Sequence, residues 1–125
     1  VQTIKDDVCW VMGNLGELRK VFLNIFLNSI DAMPKGGTIT FKAMRVNGTV
    51  SIEVSDDGIG IPESIRHRIF DPFFTTKGVQ RSGLGLSICY GIIQRHHGEI
   101  KVESQEGIGS TFMIKLPLAK AGELL

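Results

Sequence analysis

At 125 residues the chain is long enough to bury one substantial hydrophobic core and too short for two, so a single domain is expected over residues 1–125. Fourteen Lys and Arg against thirteen Asp and Glu leave a net charge of +1, and without a basic run the electrostatic footprint of a nucleic-acid binder is missing. Cys9 and Cys89 lie far apart with no Cys-x-x-Cys spacing, which excludes a disulfide scaffold and suits reduced thiols in the cytoplasm.

Val8 to Met12 reads as a strand, and Gly13-Asn14 punctuates it before a helix expected from Leu15 to Met33, which stops at Pro34 and Gly36-Gly37. Strand signals return at Thr38 to Val46 and Val50 to Ser55. Asn47-Gly48 joins them with the preferred dipeptide of a tight hairpin turn, so these two strands should be antiparallel neighbours. Pro62 is placed to open a short helix, where its missing N–H costs nothing. From Asp71 to Ser82 the pattern fails, and a loop of that length in a small domain is usually functional. Helical spacing resumes from Gly83 to His97, followed by strands at Glu99 to Ser104 and Thr111 to Leu116 with Gly107 and Gly109 between them. Ala119 to Leu125 reads as a tail or linker. The longest apolar stretch, Val21 to Ile30, is broken by Asn24, Asn28 and Ser29, and no charged-then-apolar leader precedes it. A soluble domain is therefore expected, and the abrupt start at Val1 reads as a piece of a longer protein. Hairpin-linked strands with helices inserted in two blocks fit an α+β fold: a two-layer sandwich in which about three helices cover one face of a mixed, mostly antiparallel sheet of about five strands.

Three groups of residues carry the chemistry. On the first helix Glu17, Lys20, Asn24, Asn28 and Asp31 fall on one stripe, while apolar residues cover most of the rest. Amides on so apolar a helix need partners: either neighbouring backbone, or a ligand such as Mg²⁺, which takes hard neutral oxygens. Asp56-Asp-Gly58-Ile-Gly60-Ile61 follows a strand, so the Asp56 carboxylate emerges where the chain turns. An ionised carboxylate only accepts hydrogen bonds, which matches the amino group of adenine and conflicts with the carbonyl of guanine. Gly58 and Gly60 would permit positive φ and close backbone approach to the base; an ordinary Asp-Gly turn is the alternative. Ser82-Gly83-Leu84-Gly85-Leu86-Ser87 opens the later helix, whose first N–H groups and positive dipole end suit phosphate, although glycines also simply start helices. The spacing is neither a P-loop nor a dinucleotide fingerprint.

Taken in order with Phe70-Asp-Pro-Phe-Phe-Thr-Thr-Lys77, these segments resemble the N, G1, F and G2 boxes of the catalytic ATP-binding domain of sensor histidine kinases, within the superfamily that also holds gyrase and mismatch-repair ATPases. Gly107-Ile-Gly-Ser-Thr111-Phe112 is similar to the family's last, weaker glycine box, so the resemblance covers nearly the whole chain. It implies the Bergerat-type ATP-binding fold, with ATP and Mg²⁺ as cofactors. Asn28 would hold the Mg²⁺, with Asn24 assisting. Residues 70–83 would form an ATP lid with Phe73 and Phe74 as its hinge, followed by Thr75, Thr76 and Lys77. Asp56, Gly58, Gly60, Ile61, Ser82, Gly83, Leu84, Gly85, Leu86 and Thr111 would complete the nucleotide site. Many sensor kinases carry Lys or Arg where Asp31 stands, so the resemblance moves that phosphate contact to Lys77 or Arg81.

Superfamily hydrolases carry a Glu at the position of Asn24 to activate water. An amide cannot take that proton, so Asn24 selects the histidine-kinase branch. The phosphoacceptor pattern of that branch, a His followed by an acidic residue and soon a Pro, fits none of His67, His96 and His97. The expected activity is ATP-dependent protein histidine kinase. The acceptor is expected on a separate dimeric helical domain, and a response-regulator receiver domain is the further partner in two-component signalling. This fragment itself is expected to be a cytoplasmic monomer. Two other readings share the same boxes: a nucleotide-binding regulatory module without phosphotransfer, and an ATPase of the same superfamily.

Overall fold

The structure, a computed structural model, describes residues 10–71 and 84–120. In chain order the elements are α1 (Leu15–Asp31), β1 (Ile39–Val46), β2 (Thr49–Asp56), α2 (Glu63–Arg66), α3 (Leu84–Arg95), β3 (Glu99–Gln105) and β4 (Gly109–Pro117). The described strands form a four-stranded sheet in the order β1-β2-β4-β3, and each described pairing is antiparallel. The expected strand at Val8 to Met12 lies partly outside the described residues, and Trp10 to Met12 are not in a strand. They are still tied to the far end of the chain, because Ala119 N–H donates to the Trp10 carbonyl at 2.7 Å.

Local chemistry accounts for the element ends. Asn14 caps α1, its side-chain oxygen accepting from the Glu17 N–H at 2.9 Å, a contact of a kind that stabilises a helix by about 1 kcal/mol. The helix ends at Asp31, two residues short of the expected Met33, as Ala32 takes the cap and donates back to the Asn28 carbonyl at 3.0 Å. Asn47 has φ 55° at the two-residue turn, and Val46 pairs with Thr49 across it, as Asn-Gly predicts. Pro62 stands at the cap of α2 rather than inside it.

Alternation in the strands builds one layer against the helices. Ser110, Phe112, Ile114 and Leu116 of β4 are buried, as are Val50, Val54 and Asp56 of β2 and Ile100 of β3. Val21 and Ile25 of α1 and Cys89, Ile92 and Ile93 of α3 close over them. Burying each Val or Ile contributes about 1.5–3 kcal/mol. The other sheet face carries Glu53, Lys101, Glu103 and Lys115, none of them buried. Among the described residues no helix is long and apolar enough to cross a membrane.

Candidate functional site

Asn24 and Asn28 sit one turn apart on α1, both half-buried. Asn28 donates its Nδ2 to the Asn24 carbonyl at 2.8 Å. Asn24 donates its own Nδ2 across to Cys89 Sγ on α3 at 3.7 Å, and the Cys89 thiol donates to the Val21 carbonyl on α1, also at 3.7 Å. Burial pushes the Cys89 thiol above its ordinary value of 9.0, the hydrogen bond from Asn24 opposing this in part, so the sulfur keeps its proton at neutral pH. The start of α3 lies beside the same amide: a Cβ built on Gly85 would stand 3.9 Å from Asn24 Cγ and 4.0 Å from Oδ1. Two segments 61 residues apart, Asn24 and Gly85, are thereby brought together.

The other half of the site hangs on Asp56, the last residue of β2 and only 8% exposed. Its Oδ1 accepts the Gly58 N–H at 3.0 Å and closes the first turn of the loop. That loop is then held from two sides. Ile59 N–H donates to the Ala32 carbonyl at 2.9 Å, fixing the loop across the end of α1 just beyond Asn28. On the other side Gly107 N–H donates to the Ile59 carbonyl at 2.7 Å, and Ile61 N–H donates to Ser104 Oγ at 2.7 Å. The Ser104 hydroxyl proton goes to the Gly109 carbonyl at 3.0 Å, so its contact with Ser110 Oγ at 2.8 Å must take the Ser110 proton. Thr38 N–H donates to Asp57 Oδ1 at 2.9 Å, adding a third attachment near the loop's start.

The two loop glycines act differently from one another. Gly60 has φ 73° and packs against the Gln105 backbone. Gly58 does not have positive φ; a Cβ there would collide with the Ala32 carbonyl, so its lack of a side chain lets the loop lie on the helix end. The expectation of positive φ thus holds for Gly60 alone, and what both glycines approach closely here is protein backbone.

Of the remaining expected site residues, Asp31 ends α1 with Oδ2 buried, Ile61 is half-buried at the end of the loop, and Leu84, Gly85 and Leu86 open α3. Phe74, Thr75, Thr76, Lys77, Arg81, Ser82 and Gly83, with most of the expected lid, lie outside the described residues. Thr111 is not brought to Asp56. It pairs with Ser55, hydroxyl to hydroxyl at 2.8 Å, whereas Ser110 is the register partner of Asp56 and is buried beside it. Strand alternation is the reason: neighbours in a strand face opposite sides, and Asp56 faces the helices. Ser104, Ser110, Ala32 and Cys89 were not expected in this site. His96, which does not fit the phosphoacceptor pattern, ties α3 to the start of α1, its Nδ1 with the Ile92 carbonyl at 2.8 Å and its Nε2 accepting the Asn14 N–H at 3.0 Å.

The donor set can be tested against Mg²⁺. Among the described residues no group of three His, Cys, Asp or Glu side chains could cage a metal. Two neutral amides at one helix stripe fit an ion that keeps several waters and takes its other oxygens from phosphates. The residues present are compatible with that ion.

A family model described as histidine kinase-, DNA gyrase B-, and HSP90-like ATPase matches residues 13–120. The chain is similar to sporulation kinase C of Bacillus subtilis (strain 168), 43% identical over 112 residues that cover 90% of this chain and 26% of that protein. It is also similar to sensor histidine kinase ZraS of Escherichia coli (strain K12), 40% identical over 116 residues, 93% of this chain and 25% of that one. It therefore spans about a quarter of the length of these relatives. Among solved structures, the catalytic domain of histidine kinase ThkA superposes with a TM-score of 0.76 at 37% identity, covering 86% of this chain and 70% of that chain. Full-length ShkA in complex with AMPPNP superposes with a TM-score of 0.80 at 30% identity, covering 91% of this chain and 24% of that chain.

Proposed function

Since the chain belongs to the histidine kinase-, DNA gyrase B-, and HSP90-like ATPase family, we propose that it binds ATP with Mg²⁺ and presents the γ-phosphoryl group to a histidine on a separate helical domain of a sensor kinase. The observation that supports this most is the placement of two segments against the C-terminal half of α1. The start of α3 lies beside Asn24, and the Asp56 loop is fastened to Ala32 just past Asn28.

In this reading Asp56 accepts a hydrogen bond from the adenine amino group, and Gly58, Gly60 and Ile61 form the wall beside the base. Asn28, assisted by Asn24, would hold the Mg²⁺, which supplies charge neutralisation at the phosphate oxygens. The first N–H groups of α3, from Leu84 to Leu86, offer a positive end for phosphate. Lys77 or Arg81 would add a cation from the expected lid over 70–83, and Ser82 and Gly83 precede the helix in sequence. Phosphoryl transfer then depends on positioning and electrostatics, with the base supplied from the acceptor domain. The cytoplasmic setting and the response-regulator partner are part of the same proposal.

The chain should transfer labelled phosphate from Mg·ATP to the histidine-bearing helical domain of its parent protein and hydrolyse ATP only slowly when alone. Steady multiple-turnover hydrolysis by the isolated chain would instead place it with the superfamily's ATPases and overturn the argument from Asn24.

A further inference from the structure

We propose that Cys89 is a positioning residue for Asn24, fixing which end of the Asn24 amide faces the nucleotide. The inference deepens the Mg·ATP reading above and rests on it. A side-chain amide can turn over with almost no change of shape, yet its two ends are opposites: one is a hydrogen-bond acceptor and metal ligand, the other donates only. Something must select between them. The Val21 carbonyl can only accept, so the single thiol proton of Cys89 is committed to it at 3.7 Å. The sulfur then has nothing but lone pairs to offer Asn24, and only the Nδ2 end can meet it, as it does at 3.7 Å. With Nδ2 held there, Oδ1 lies toward Gly85 at the start of α3.

Cys89 is completely buried, so water does not reach its sulfur. It lies four residues after Gly85 on α3, one turn along the helix whose first turn faces the same amide. The relay from Val21 through Cys89 to Asn24 therefore crosses from α1 to α3 and back. An apolar side chain of similar volume would keep the packing but remove the polarity that chooses the oxygen.

The experiment uses the whole chain as wild type, Cys89→Val and Cys89→Ser. Side-chain amide NMR of ¹⁵N-labelled protein without nucleotide should show the Asn24 Nδ2 protons shifted and exchanging faster with solvent in Cys89→Val. They should stay held in Cys89→Ser, which retains one donor and two lone pairs. Calorimetric titration with AMPPNP should show the gain in affinity on adding Mg²⁺ falling by about five- to tenfold in Cys89→Val, the size expected for one hydrogen bond. Cys89→Ser should stay within about threefold of wild type, and metal-free binding should change little in either variant. If Cys89→Val does not fold, Cys89→Ala adds no volume and carries the same readouts. An Asn24 amide unmoved by Cys89→Val, or an undiminished Mg²⁺ gain, overturns the inference and leaves the nucleotide reading standing. Failure of wild type to bind AMPPNP at all overturns the nucleotide reading, and this inference with it.

Discussion

Asp56 uses one carboxylate oxygen to close its own turn, Oδ1 accepting from Gly58, and a carboxylate has a second oxygen with which to read a ligand. Asp56→Asn should weaken ATP binding by about 1.5–3 kcal/mol, the range for a hydrogen bond to a charged group, while GTP binding changes little. Calorimetry with both nucleotides checks this, and an ATP affinity equal to wild type removes Asp56 from the base site. Asp56, Asn24 and Asn28 could be picked out from sequence because each is a polar residue where a strand end or an apolar helix makes polarity expensive. Ser104 and Cys89 could not. Their partners lie 43 and 65 residues away, at Ile61 and Asn24, and no local pattern encodes such pairings. Ser110 was within reach, since counting alternate residues along β4 separates it from Thr111 once the partner of Asp56 is known.

Elements were legible where a side chain sets backbone geometry directly. Asn14 and Asn47-Gly48 marked the start of α1 and the β1–β2 turn, and both stand where expected. Strand ends were less legible because the pairing partner decides them: β2 runs on to Asp56 and β4 begins at Gly109, extensions set by the Asp56–Ser110 pairing and the β3–β4 turn. Gly85 tests the element that would carry the phosphates. A Cβ there meets only Asn24 at ordinary contact distance, and alanine is the better helix former by about 0.5–1 kcal/mol. Gly85→Ala should therefore raise the thermal midpoint by a few degrees, roughly the shift such an increment produces. Its methyl group would occupy the space between the amide and the helix start, so affinity for Mg·AMPPNP should fall by about tenfold, measured by calorimetry beside the melt. Raised stability with unchanged affinity would show that the start of α3 is not the phosphate site.

Among the described residues, a four-stranded antiparallel sheet is covered on one face by helices, and the proposed nucleotide site lies where the two layers meet. The two-layer class followed from hairpin-linked strands with helices in two blocks. The strand order β1-β2-β4-β3 did not, because β4 inserts between β2 and β3 through pairings that sequence proximity does not suggest. That insertion brings Ser110 to Asp56 and the β3–β4 turn to the Asp56 loop. Everything proposed for this chain depends on a Mg²⁺-dependent nucleotide site built on α1. Its most direct test is calorimetric titration of AMPPNP into wild type and Asn28→Ala, each with and without Mg²⁺. Wild type should bind in a magnesium-dependent manner, and Asn28→Ala should lose that dependence. Equal magnesium dependence in both proteins, or no binding by wild type under either condition, would contradict it.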